Sequence, residues 1–299
     1  MKSLALLALL LVAMPLSAAN YSTTPFQFLK LDPDARISAL GGAGVAVGNG
    51  AASPHFNPAG LVSVERGELR ILHHAHLAGI QQDVGSLAIR LGSASVIGIM
   101  INRLDYGDIP RTTYAKPDGG MGNYQSKETA MSFSGAYSIG ALSFGTGVKL
   151  LSQRIDDAAG HALAGDLGIH YRVPRLRGLA VGAAALNIGK GVRLSSQYER
   201  LPTILKVGAA QAFQVSGATL LGSAEISRVN TETVIFSGGL EVLFLSHMAL
   251  RGGYSNRQHG LGISLGVGIT TRRFDIDYSL SPFGSLGLTH RLSLSIRAL

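Results

Sequence analysis

The 299-residue chain has no cysteine and no tryptophan, and few residues that carry charge. Without cysteine it cannot be a disulfide scaffold, a thiolate metal site or a lipoprotein acylated on Cys. Charged residues make up 15% of the chain and the mean hydropathy is +0.26, more apolar than an ordinary soluble domain. Beyond the amino terminus, however, no apolar run approaches the roughly 20 residues of a membrane-spanning helix. The 39 glycines, scattered without a collagen period, argue against long helices of any kind, since each costs about 1 kcal/mol in a helix interior. An apolar, glycine-rich, helix-poor chain points to strands. The net charge of +8 comes from dispersed Lys and Arg, with neither a basic helix nor an aromatic-interleaved patch, so nucleic acid is excluded as a partner.

The amino terminus carries Lys2, an apolar run from Leu4 to Leu16, and the small-residue stretch Ser17-Ala18-Ala19. This pattern predicts a signal peptide over residues 1–19, too short in its apolar part for a retained helical anchor. The mature chain is therefore expected to be exported.

From residue 63 onward hydropathy alternates with a period of two. Leu286, Leu288, Leu292, Leu294, Ile296 and Ala298 alternate with Gly287, Thr289, Arg291, Ser293, Ser295 and Arg297, and Phe274, Ile276, Tyr278 and Leu280 alternate with Asp275, Asp277, Ser279 and Ser281. Each is a strand with one apolar face. Similar segments recur back to residues 67–76, about 14 in all and each about 9 to 11 residues long, the length of a tilted strand crossing a bilayer. Tight connections, such as Val215–Gly217 and Leu245–His247, largely alternate with longer ones at 77–83, 104–127, 152–161 and 188–202, which puts both chain ends on the periplasmic side. Tyr137, Tyr171, Phe213, Phe244 and Phe274 fall at strand ends next to tight turns and form a partial aromatic girdle. The face opposite the apolar one is rich in Gly, Ala and Ser with isolated charges of both signs, Glu225, Glu241 and Arg251 among them, which suits a lumen where charges pair. The predicted fold is all-β, a transmembrane antiparallel β-barrel of about 14 strands over residues 63–299, in the outer membrane and in contact with its lipid.

Residues 20–62 do not alternate and are expected to form a plug or hatch. Their candidate binding residues are Arg36, Gly41, Gly42, Asn57, Pro58 and Gly60. The glycines permit a tight chain path and Asn57-Pro58 initiates a turn. A dinucleotide loop is excluded, because the strand, helix and distant acid that it needs are missing. In the barrel, Asp275, Asp277, Arg291, Glu241 and Arg251 are expected to form a structural charge network, with Arg291 as a partner for the two aspartates, which stand about 7 Å apart along one strand. The segment Leu104–Lys127 reads as the longest irregular stretch and the best candidate for a gate or partner contact. Catalysis is not expected: His290 falls on the apolar face and Ser293 on the lumen face, so they form no dyad. No metal and no cofactor is implied.

Several stretches together resemble one family: Arg36–Ala43, Asn57–Leu61, Ala185–Gly189, Leu201-Pro202, Gly238–Glu241, Leu250–Tyr254, Phe274–Ser281 and His290–Arg297. In this order they resemble the PorV/PorQ family, relatives of the FadL long-chain fatty-acid transporter. The resemblance implies a 14-stranded barrel and two functions of different class. One is a carrier working with a type IX secretion system, with secretion components or secreted proteins as partners. The alternative is a FadL-like channel for hydrophobic small molecules, which should hold an apolar pocket beneath residues 36–61. A purely structural barrel would show neither.

Overall fold

The computed structural model describes residues 25–194, 197–230, 234–257 and 262–298. The signal peptide expected over residues 1–19 lies outside them. The wall consists of β1 (Gly67–Ala75), β2 (Gln81–Leu91), β3 (Ser95–Pro110), β4 (Asn123–Ile139), β5 (Leu142–Ile155), β6 (Ala158–Arg172) and β7 (Leu179–Gly189). After a small hairpin of β8 (Val192–Leu194) and β9 (Gln197–Glu199), it continues with β10 (Ile204–Val215), β11 (Ala218–Val229), β12 (Ile235–Phe244), β13 (Met248–Ser255), β14 (Ile263–Thr270), β15 (Phe274–Pro282) and β16 (Leu288–Ala298). Without that hairpin, 14 strands form a closed barrel of antiparallel neighbours. β1 closes it on β16 in a register running from Gly67↔Ala298 to Ala75↔His290.

Period-two alternation decides which side chains face lipid. In β14, Ile263, Leu265, Val267 and Ile269 are exposed on the outer wall, while Ser264, Gly266 and Gly268 are buried. Closure pairs every strand with two neighbours, so no unpaired sheet edge meets the hydrocarbon. A closed barrel with this outward apolar belt is the outer-membrane architecture. Among the described residues no helix is long and apolar enough to cross a membrane. Tyr137, Tyr171, Phe213 and Phe274 are exposed on the outer wall and Phe244 is half-buried, all at the ends of strands beside tight turns. The turn at Ser216-Gly217 has both residues at positive φ, 47° and 85°, the left-handed pair that a two-residue hairpin demands.

Two expected long loops are largely strand. β3 runs to Pro110 and β4 begins at Asn123, so the segment expected to be irregular over 104–127 shrinks to 111–122. The ladder pairs Asp105 with Lys127, then shifts register before Asp108 pairs with Gln125. Similarly, β5 and β6 continue until only Asp156 and Asp157 separate them, in place of a loop over 152–161. These extensions carry Asp105, Asp108, Arg154 and His161, none of them buried. There the outer face no longer has to be apolar, and backbone pairing persists without the alternation that lipid imposes.

Candidate functional site: the hatch in the lumen

Residues 26–61 lie almost entirely buried inside the barrel. Local signals fix their path. Asp34 caps the short helix α1 (Ala35–Ala39), its Oδ1 accepting from the Ile37 amide at 2.8 Å, as Asp at an N-cap does. Asn57 opens the 3-10 turn Pro58–Ser63, its Oδ1 accepting from the Ala59 amide at 3.0 Å, with proline at the first position where no N–H is needed. The same Asn57 donates through Nδ2 to the carbonyls of Val45 (2.8 Å) in the hatch and Ile169 (2.9 Å) in the wall. Its amide group thus sews hatch to barrel.

The wall receives the hatch on a seam of glycines. A Cβ at Gly145 would collide with the backbone of Pro58 and Ala59, at Gly168 with the Asn57 side chain, and at Gly182 with Val45. On the other side, a Cβ at Gly239 would strike Leu40, at Gly253 the Leu40-Gly41 backbone, and at Gly266 the Ala39 side chain. Backbone packs on backbone here, which only glycine allows. Gly41 and Gly42 hold φ of 69° and 82°; Gly41 abuts the Tyr254 backbone and Gly42 the Asp32 carboxylate. Gly60 packs against Ser53.

Charge pairing completes the dock. Arg36 donates to both oxygens of Glu241 at 2.8 and 2.7 Å, and Glu241 also accepts from Arg251 at 2.5 Å. Arg251 in turn reaches Asp277 at 2.7 Å. Arg70 bridges Asp34 (2.5 Å) and Glu68 (3.1 Å). The Glu225 carboxylate, itself paired with Lys206 at 3.1 Å, accepts the amides of Gly44 and Val45 at 3.0 and 2.9 Å. Burial works against the charge of Arg36, but Glu241 beside it holds the guanidinium above its ordinary range. His55 is driven well below the usual imidazole value, first by burial and then by Lys149, Lys206 and Arg257.

Three of the five expected residues, Glu241, Arg251 and Asp277, are in contact; Asp275 pairs apart from them and Arg291 joins neither. Asp275 pairs with Arg297 and Asp277 with Arg251. The register is the reason: Asp277 stands opposite Ser293 and Asp275 opposite Ser295, whereas Arg291 stands opposite Ser279, one pleat further toward the outer surface. The Nε and Nη1 of Arg291 have no hydrogen-bond partner among the described residues. Asp34, Arg70 and Glu68 were not anticipated, although Glu68 and Arg70 fall on the lumen face of β1 by alternation.

Above the hatch, toward the outer surface, Phe26, Phe28 and Leu29 pack with Leu104, Leu151, Val192 and Leu201 in an apolar cluster. The barrel wall anchors this strap. Glu128 accepts the backbone amides of Phe28 and Phe26, the Gln153 side chain at 2.6 Å and the Tyr106 hydroxyl at 3.4 Å. Beneath the hatch, a vestibule of about 1340 Å³ opens on the periplasmic side and is lined by Arg36, Arg70, Arg251, Glu241 and Asp277 among others. The apolar pocket expected beneath residues 36–61 is therefore a charged one, because the lumen faces of β1, β12, β13, β15 and β16 supply the ion pairs. His290 points outward and bonds the Tyr278 hydroxyl at 2.7 Å, while Ser293 points inward and accepts from the Ala35 amide at 3.0 Å. No group of three potential metal ligands is found among the described residues.

Residues 17–197, more than half the chain, match the model of the "Uncharacterised protein family (UPF0164)". The chain belongs to this family. No curated protein sequence matches this UPF0164 chain. Solved structures share its fold at low identity. The monoaromatic hydrocarbon channel CymD superposes with a TM-score of 0.64 at 14% identity, over 88% of this chain and 97% of the channel. The Ralstonia pickettii toluene transporter TbuX gives 0.60 at 16%, over 90% and 99%. A FadL homologue of Pseudomonas aeruginosa gives 0.58 at 10%, over 94% and 100%. The barrel is thus of the FadL and toluene-channel type; the narrower resemblance to the PorV/PorQ family finds no counterpart among these structures.

Proposed function

We propose that this barrel is a hatch-gated channel for hydrophobic small molecules. The observation that carries the proposal is the hatch itself: it fills the lumen and is held by side-chain hydrogen bonds and ion pairs rather than by covalent links. Its strap occupies an apolar site of the kind a hydrophobic molecule would use. Phe26, Phe28 and Leu29 lie against Leu104, Leu151 and Leu201 on the side facing the outer surface, and an apolar solute entering there takes their place. The fold shared with hydrocarbon channels supports the same reading. Arg36, Gly41, Gly42, Asn57, Pro58 and Gly60 act in this reading as docking residues of the gate. The export-carrier reading draws no support from the external connections, since the strands take up much of the expected loop and leave only 111–122 between β3 and β4.

Co-purification from mild detergent, with mass spectrometry of lipids and proteins, tests the proposal. A bound apolar molecule that is lost from the Asn57→Ala variant is the expected result. A stoichiometric secreted protein or secretion component, with no apolar molecule, would overturn it.

A further inference from the structure

The vestibule beneath the hatch is not electrically neutral at its mouth. Deeper in, its arginines are matched: Arg36 and Arg251 by Glu241, Arg251 also by Asp277, Arg70 by Asp34 and Glu68. At the rim, Arg66, Arg272 and Arg273 are exposed and line the same cavity without an ion-pair partner among the described residues. They lie together on one side of the barrel. Arg66 directly precedes β1, Arg272 and Arg273 form the turn between β14 and β15, and β16 between them joins Arg297 to the Arg273 carbonyl. Glu65 is the one acid beside them on the rim.

We infer that this mouth is a docking site for an acidic segment of a periplasmic protein. Three observations favour that occupant. The vestibule volume of about 1340 Å³ exceeds the roughly 300–1,000 Å³ of small-molecule pockets, so it suits a polypeptide segment better than a lone anion. The three arginines line the cavity, so their charge is presented to what approaches from the periplasmic water and not only to lipid headgroups around the barrel. Arginine's planar, permanently charged fork pairs with carboxylates in two-pronged fashion, and with the deeper acids paired in the lumen Glu65 is left against three arginines at the rim. A protein held at this mouth stands directly below Arg36 and the hatch, where it receives whatever passes. The site does not depend on the passenger being hydrophobic.

The test uses the full chain in detergent and an oligo-glutamate peptide as probe, with oligo-glutamine as the neutral control. Oligo-glutamate is expected to bind and to be weakened roughly tenfold or more by combined Arg66→Glu, Arg272→Glu and Arg273→Glu. Binding should also fall away at about 1 M salt, where the screening length is about 3 Å. A second triple variant, Arg172→Glu, Arg175→Glu and Arg177→Glu, alters the β6–β7 turn on the far side of the barrel, outside the cavity, and is expected to bind as the native chain does. Equal loss in both variants would mean a non-specific basic surface and overturn the inference. So would equal binding of oligo-glutamine, or an effect of the rim variant confined to vesicles of phosphatidylglycerol. Bound apolar molecule in native material bears on the channel reading alone, so the two proposals fail separately.

Discussion

Glu241 accepts from two arginines that belong to different parts of the molecule, Arg36 of the hatch and Arg251 of the wall. Removing it leaves a guanidinium only 2% exposed with a single remaining acid, so Glu241→Ala is expected to destabilise the folded barrel by about 3–5 kcal/mol, the usual cost of breaking a buried pair from one side. Arg36→Ala should cost clearly less, because Glu241 keeps Arg251. Urea unfolding in detergent measures both, and equal losses would contradict the asymmetry. The glycine seam makes an independent prediction. Gly168→Ala and Gly239→Ala drive a Cβ into Asn57 and Leu40, so the hatch must shift and trypsin should cut at Arg36 faster than in the native chain. Gly85→Ala, where a Cβ meets nothing within 4 Å, should leave the cleavage rate unchanged.

At the scale of elements, the hatch segment and the strap are held by different interactions. His55 is buried among Lys149, Lys206 and Arg257 and held neutral. Undocked, it regains an ordinary value near 6.5. With its docked value depressed, the undocked chain takes up a proton first as pH falls through about 6.5, so the stabilisation of docking is complete above that pH and lost progressively below it. Amide exchange of residues 50–60 is expected to accelerate between pH 7.5 and 5.5 in the native chain, with a flatter response in His55→Gln; identical pH profiles would contradict the assignment. The strap is held by apolar packing, and truncating Phe28 to Ala removes about 3–5 kcal/mol of it. Because the chain has no cysteine, a Leu151→Cys variant reports directly. Maleimide should label it slowly in an otherwise native chain and much faster when Phe28→Ala is added.

Elements also show what was legible in the sequence. Strands inside the bilayer were, because lipid on one side and a packed lumen on the other impose a period of two, as in β14 and β16. Where β3 to β6 rise into water that constraint ends, and polar residues such as Asp105 and His161 look like loop while their backbones stay paired. Glu241, Arg251 and Asp277 were recognisable as lumen charges from alternation alone. Their partners were not, since the choice of Arg251 and Arg297 over Arg291 depends on strand stagger, which hydropathy does not encode. The vestibule's polarity escaped for the same reason: an ion-pair lattice under the hatch arises only when charges from five strands and α1 are brought together.

For the whole molecule, the central claim is that hydrophobic small molecules pass through this barrel when the hatch yields. The most direct measurement is uptake of radiolabelled toluene by cells with a lipopolysaccharide outer leaflet that lack such channels of their own. It compares the native chain with a reversible hatch-to-wall disulfide, Ala35→Cys with Ser293→Cys, where the Ser293 hydroxyl already meets the Ala35 amide at 3.0 Å. The account predicts uptake above that of cells without the protein, abolished in the oxidised variant and restored by reduction. Uptake no faster than in cells without the protein, or uptake indifferent to the disulfide, would contradict it.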